Sequence, residues 1–201
     1  MSDLARAAAR MRRASASRSA GAALPTLLFF TDPKRTPDPV AVAERLPPGS
    51  GIVFRAFGAV DGVETGRRLA AVARRRGLTL LVGADPALAC AIGADGLHLP
   101  ERLVRQAPRL RRLGWIVTGA AHSLGAARAA ARAGLDAVVI SPVFPSRSPS
   151  AATPLGALKF SALVRQAGLP AYALGGITPQ TARAILRSGA IGLAAVEALA
   201  S

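Results

Sequence analysis

The residues able to do chemistry in this chain are few and stand at the ends of short apolar runs. His122 occurs in Ala120-Ala121-His122-Ser123-Leu124, after one such run and before a segment of helical period for which Ser123 is the N-cap. An imidazole there is placed for proton transfer, with an ordinary pKa of about 6.5, although one that only helps to cap the helix fits the same spacing. His98, in Asp95-Gly96-Leu97-His98, lies inside a run and reads as a packed, hydrogen-bonded structural histidine. Arg55 closes the apolar run Gly51-Ile52-Val53-Phe54. Its planar fork suits a carboxylate or phosphate, or a neighbouring acid such as Asp32 or Asp85. Gly175-Gly176 and the turn after Ala195 and Val196 offer backbone N–H groups to a phosphate; the glycine pair also suits a plain tight turn. Ser146 and Ser148, in the Pro/Ser-rich stretch 141–153, add hydroxyls able to close over an anion. For a hard cation, Asp85 and Glu101 are the candidate ligands. The single cysteine, Cys90, makes no internal disulfide, and no Cys/His cluster has metal-ligand spacing, which fits a reduced cytoplasm.

These residues need a scaffold that brings strand ends together. The 201 residues suit one domain, and 51% hydrophobic content with only 4% aromatic predicts a core of small, closely packed side chains. Short apolar runs at 26–31, 51–55, 78–82, 95–99, 115–118, 136–141, 170–174 and 191–195 read as strands. Helical segments lie between them at 38–46, 61–76, 86–92, 101–113, 123–134, 155–168 and 178–188. Asp38-Pro39, Asp85-Pro86 and Thr178-Pro179 each place a cap before proline at a helix start, and Gly77, Gly93, Gly134, Gly168 and Gly189 fall at helix ends. Repeated βα units of this number predict an α/β fold, a single-domain TIM (β/α)₈ barrel whose active site lies at the carboxyl ends of the strands. A doubly wound open sheet wants Gly-x-Gly-x-x-Gly after the first strand, where this chain has Thr31-Asp32-Pro33-Lys34.

Only Glu197 to Ser201 follow the last strand, so the last helix is truncated and the seam between first and last strands needs a cover. A partner chain or the N-terminal segment is expected there. Residues 1–23, rich in Ala, Arg and Ser with Asp3 the only acid, are set apart as a basic, disordered tail; the barrel is assigned to 24–201. The net charge of +15 comes from 26 basic residues, all arginine except Lys34 and Lys159. They are dispersed over successive helices without interleaved aromatics, which predicts solvated helix faces and no specific nucleic-acid partner, with polyanion binding only at low salt. Apolar runs such as Leu27 to Phe30 fall far short of the roughly 20 residues that span a bilayer.

The motifs GADGLHLPE (93–101), AAHSL (120–124), SPVFPSRSPS (141–150), ALGGIT (173–178) and GAIGLAAVEAL (189–199) together resemble the thiamine phosphate synthase/TenI superfamily. FFTDPKR (29–35) and Arg55 fall where that family's first two motifs do. The resemblance implies a TIM barrel and one of two activities. One is magnesium-dependent joining of an aminopyrimidine diphosphate to a thiazole phosphate. The other is metal-free tautomerisation that aromatises a thiazole carboxylate phosphate. Of the synthase's Gln-x-Arg-Glu-Lys motif this chain keeps only Arg55, in Val53-Phe54-Arg55-Ala56-Phe57. Gly83-Ala84 and Leu103 stand where the synthase carries its magnesium-holding acids and the neighbouring Asn, and Glu197 replaces a small serine beside the expected phosphate.

HLPE and the retained histidine of AAHSL resemble the TenI branch more closely. The expectation is therefore a cytoplasmic, thiazole-phosphate-binding protein of thiamine biosynthesis, a metal-independent tautomerase-like enzyme with His122 as general acid/base. Arg55, Ser146, Ser148, Gly175, Gly176, Ala195 and Val196 would hold the substrate, and a homo-oligomer is compatible with the open seam. The alternatives are a thiamine phosphate synthase with Mg2+ on Asp85 and Glu101, and a non-catalytic phosphate-ligand-binding paralogue.

Overall fold

The computed structural model describes residues 3–15, 24–146 and 153–199. Eight parallel strands close into a barrel in chain order: β1 (Leu27–Phe30), β2 (Gly51–Phe54), β3 (Thr79–Gly83), β4 (Gly96–Leu99), β5 (Ile116–Ala121), β6 (Ala137–Ile140), β7 (Ala171–Ala173) and β8 (Gly192–Ala195). Closure is completed by β1 against β8, with Leu28 opposite Ala194 and Phe29 opposite Ala195. All eight expected strands are present within two residues at their starts and three at their ends.

The period-2 alternation explains why every strand is buried on both faces. Leu28, Phe30, Val53, Leu81, Ala137, Val139, Tyr172 and Ala194 form one cluster, the barrel interior. Their neighbours Phe29, Ile52, Phe54, Leu80, Val82, Leu97, Val138, Ile140 and Leu193 pack instead with the surrounding helices. At the amino end of the barrel the Tyr172 hydroxyl donates to the Pro25 carbonyl at 2.6 Å, and burial raises its pKa. Where backbones crowd, only glycine fits: a Cβ on Gly96 would lie 1.8 Å from the Ile116 carbonyl oxygen.

The outer helices are α2 (Pro39–Arg45), α3 (Gly62–Arg76), α4 (Pro86–Ile92), α5 (Ala107–Leu110), α6 (Leu124–Arg132), α7 (Gly156–Gln166) and α8 (Pro179–Arg183). Asp38, Asp85 and Thr178 are N-caps as their Pro-containing motifs require, and Gly77 and Gly93 end α3 and α4 in the left-handed conformation. The single helix expected over 101–113 is instead a 3-10 helix, Glu101–Gln106, followed by the one-turn α5. Pro108 has no N–H, and the Val104 carbonyl takes the Ala107 N–H at the tighter spacing.

The N-terminal segment corrects the sequence reading. Asp3–Ser15 is an α-helix, α1, where a disordered or loosely helical tail is expected, and it packs against β8 and α8, one of the two covers expected for the seam. Leu4, Ala7, Ala8 and Met11 are buried along it, spaced i, i+3, i+4, i+7, so the Ala/Arg-rich composition conceals one narrow apolar stripe. Among the described residues β8 is followed by the 3-10 turn Glu197–Leu199, and α1 covers the barrel beside β8 and α8.

Candidate active site

The carboxyl ends of the strands open into a cavity of about 840 Å³. From the expected site residues, Arg55, His122, Ser146, Gly175, Gly176, Ala195 and Val196 all line it, as do Asp85 and Glu197. Ser148 lies outside the described residues. Phe30, Arg35, Phe57, His98 and Arg102 also line the cavity and were not assigned to the substrate from sequence.

His122 sits at the end of β5 and is held by Glu101, from the turn after β4. One carboxylate oxygen, Oε2, accepts both from the His122 backbone N–H at 2.9 Å and at the ring Nδ1 at 2.7 Å. Two contacts to one oxygen fix where the residue sits and how its ring is turned. The pair is half-exposed, so the imidazole remains reachable from the cavity. Ser123, not His122, caps the helix: its Oγ accepts from Ala126 N–H at 3.1 Å.

His98 has the opposite environment. It is buried in β4, its Nδ1 2.9 Å from Thr118 Oγ1 and its ring edge-on to Phe30 at 4.9 Å. Burial, reinforced by the positive charge of Arg55, holds its pKa down to about 3. A neutral, packed imidazole is what its sequence position predicts.

Arg55 follows β2 and is anchored by its Nε donating to the Thr31 carbonyl at 2.7 Å, while its backbone N–H donates to Thr31 Oγ1 at 2.9 Å. Asp32, one of the two acids expected beside it, lies 3.6 Å from Nη2, but the same carboxylate oxygen binds Arg35 more closely at 3.0 Å. Asp32 is buried enough to favour protonation, yet the hydrogen bond and charge of Arg35 and the N–H groups of Lys34 and Arg35 outweigh this and lower its pKa. Burial also lowers the pKa of Arg55, with Asp32 acting in the other direction.

The anion-binding features are mixed. Gly175 and Gly176 have φ of 94° and 62°, and a Cβ on Gly176 would stand 2.4 Å from the Pro145 carbonyl oxygen. The pair therefore makes the close turn that lets the loop after β6 lie against the loop after β7. At the end of β8, Glu197 lines the cavity beside Ala195 and Val196 and brings a negative charge to the place where a phosphate was expected.

Each candidate metal ligand has one carboxylate oxygen engaged. Asp85 Oδ1 caps α4, accepting from Leu88 N–H at 2.8 Å, and Glu101 is occupied by His122. Among the described residues no group of three His, Cys, Asp or Glu side chains is arranged to hold a metal ion. Asp85→Ala is expected to cost about 1 kcal/mol through loss of the cap, lowering Tm by about 2–4 °C. Ligand binding should change equally with and without magnesium, which thermal-shift titration would check.

Residues 28–199 match the family described as thiamine monophosphate synthase. The chain belongs to that family. It is 35% identical over 139 residues to the thiamine-phosphate synthase of Geobacillus thermodenitrificans, covering 67% of this chain and 62% of that protein. The match thus spans less than two thirds of that relative. A putative thiamine-phosphate synthase 2 of Aquifex aeolicus is 32% identical over 131 residues, or 65% of this chain and 70% of that one. The thiamine phosphate pyrophosphorylase structure from Pyrococcus furiosus superposes with a TM-score of 0.74 at 26% identity, covering 89% of both chains. These names favour the synthase alternative over the tautomerase expected first from the sequence. A magnesium ion, which the synthase alternative calls for, would fall to Asp85 and Glu101, each of which has one carboxylate oxygen already in a hydrogen bond. Among the described residues no helix is long and apolar enough to cross a membrane.

Proposed function

We propose that this member of the thiamine monophosphate synthase family binds a phosphorylated dihydrothiazole in the barrel mouth and aromatises it by shifting a proton from its ring to its exocyclic carbon. The observation that supports this is the His122–Glu101 pair: a carboxylate 2.7 Å from Nδ1 at the rim of the cavity. With Glu101 accepting the hydrogen bond from Nδ1, Nε2 is the nitrogen that takes a proton from the sp3 ring carbon and returns it to the exocyclic double-bonded carbon, which leaves the ring with no sp3 centre. Arg55 would neutralise a carboxylate on the thiazole, which otherwise opposes the negative charge that develops as the carbon loses its proton. The turns at Gly175-Gly176 and Ala195-Val196, with Ser146, would hold the phosphate. Glu197 must then lie beside the phosphate rather than in line with it.

Thiamine phosphate synthesis is the second reading, and the names of the relatives favour it. One pair of assays separates the two. Aromatisation of a dihydrothiazole carboxylate phosphate by the purified protein, unaffected by chelator, is the expected result. Magnesium-dependent formation of thiamine phosphate from the pyrimidine diphosphate and thiazole phosphate, with no aromatisation, would replace this proposal by the second reading. Arg55→Ala should weaken binding of the carboxylated thiazole about tenfold, as expected for loss of a charge-assisted hydrogen bond. Isothermal titration of the variant measures it.

A further inference from the structure

The corner of the cavity around Arg55 holds an open donor that the proposed reaction draws on and, beside it, a residue that the reaction leaves unused. Arg55 Nη2 is buried and has no hydrogen-bond partner among the described residues. Buried guanidinium donors are ordinarily satisfied, and one left open marks a place for an acceptor the protein does not supply. Asp32 does not supply it, since at 3.6 Å it is beyond hydrogen-bond reach and shared with Arg35.

The second feature is Phe57. Its backbone has a φ of 50°, a left-handed conformation that costs a non-glycine residue energy, and its side chain is 69% exposed at the cavity rim. Neither burial nor backbone preference accounts for phenylalanine here. Its ring does lie against Arg55, with the guanidinium carbon 5.2 Å from its centroid and 5.5 Å from that of Phe30. Two aromatic faces thus flank one cation whose open N–H still lacks an acceptor.

We propose that Phe57 is a specificity-determining residue: it shields the Arg55 guanidinium from water and presents it to a carboxylate carried on a flat ring, selecting carboxylated over uncarboxylated thiazole phosphates. This rests on the thiazole reading above and deepens it. A cation shielded from water by aromatic faces has its charge less screened, so it acts more strongly on a carboxylate set directly against it, and the phenyl face can pack against the ring that carries that carboxylate. The left-handed turn at Phe57, followed by Gly58 at φ 78°, is what brings the ring back over Arg55.

The test uses Phe57→Gly, Phe57→Ala and Phe57→Trp with two probes, a thiazole carboxylate phosphate and the same thiazole phosphate without the carboxylate. Glycine relieves the backbone, so Phe57→Gly should melt no lower than the wild-type protein, and any loss of affinity is then not a loss of folding. Both Phe57→Gly and Phe57→Ala should bind the carboxylated probe about fivefold more weakly and the other within about twofold, while Phe57→Trp keeps the wild-type preference. Unchanged affinity in Phe57→Gly, or equal losses for the two probes, overturns the role of Phe57 and leaves the thiazole reading standing. If the wild-type protein binds neither probe, the thiazole reading itself fails.

Discussion

His122→Ala is expected to lower turnover of the dihydrothiazole substrate by about 10²–10⁴-fold, the usual contribution of a positioned acid/base group. Affinity for thiazole phosphate should change little, because nothing in the proposal has the imidazole hold the phosphate or the carboxylate. Glu101→Gln gives a smaller loss in turnover. The amide oxygen still accepts from the His122 backbone and ring, but it carries no charge to stabilise the imidazolium that forms when Nε2 takes the proton. The ordering is the diagnostic part. A metal-ligand role for Glu101 would make its loss depend on magnesium, and a purely structural role would lower Tm without separating turnover from binding. Absorbance of the aromatised thiazole gives turnover, and calorimetric titration gives affinity. Full activity in His122→Ala would remove the imidazole from the mechanism.

The barrel was legible because its signals are local. A short, continuous β-branched run marks a strand such as Ala137–Ile140, and an Asp-Pro start fixes the beginning of α2 and α4. What was not legible is non-local or hidden by composition. Glu101 and His122 are 21 residues apart and meet only because β4 and β5 are neighbours, so nothing in their spacing reveals the pair. Asp85 had two sequence readings, helix cap and metal ligand, and one carboxylate oxygen bound to Leu88 N–H favours the cap. Alanine and arginine dominate α1, so its stripe of Leu4, Ala7, Ala8 and Met11 is only three and four residues wide in spacing and weak in hydrophobicity. Phe57 is invisible to periodicity altogether, because its importance lies in a backbone angle and in the cation it covers.

His98, which takes no part in the proposed reaction, should govern how the stability of the protein depends on pH. His98 is neutral in the folded protein down to about pH 3, since burial between Phe30 and Thr118, and then the nearby charge of Arg55, disfavour the imidazolium. In the unfolded chain it protonates at its ordinary value of about 6.5. Its folded pKa is therefore depressed: below pH 6.5 the unfolded state binds the extra proton, and stability falls as the pH is lowered towards 3. The effect amounts to about 2 kcal/mol at pH 5 and about 3 kcal/mol at pH 4, and is absent above neutrality. Asp32 adds to the trend at the acid end, because a carboxylate held below its usual pKa loses its ion pairs only when protonated. His98→Gln separates the two. The amide can keep a hydrogen bond to Thr118 Oγ1 but does not titrate, so its stability should fall more shallowly than that of the wild-type protein between pH 7 and pH 4. Urea unfolding at a series of pH values measures the difference in slope. Parallel curves for the two proteins would mean that His98 takes up its proton in the folded state, and that the barrel interior beside Arg55 is wetter than its packing indicates.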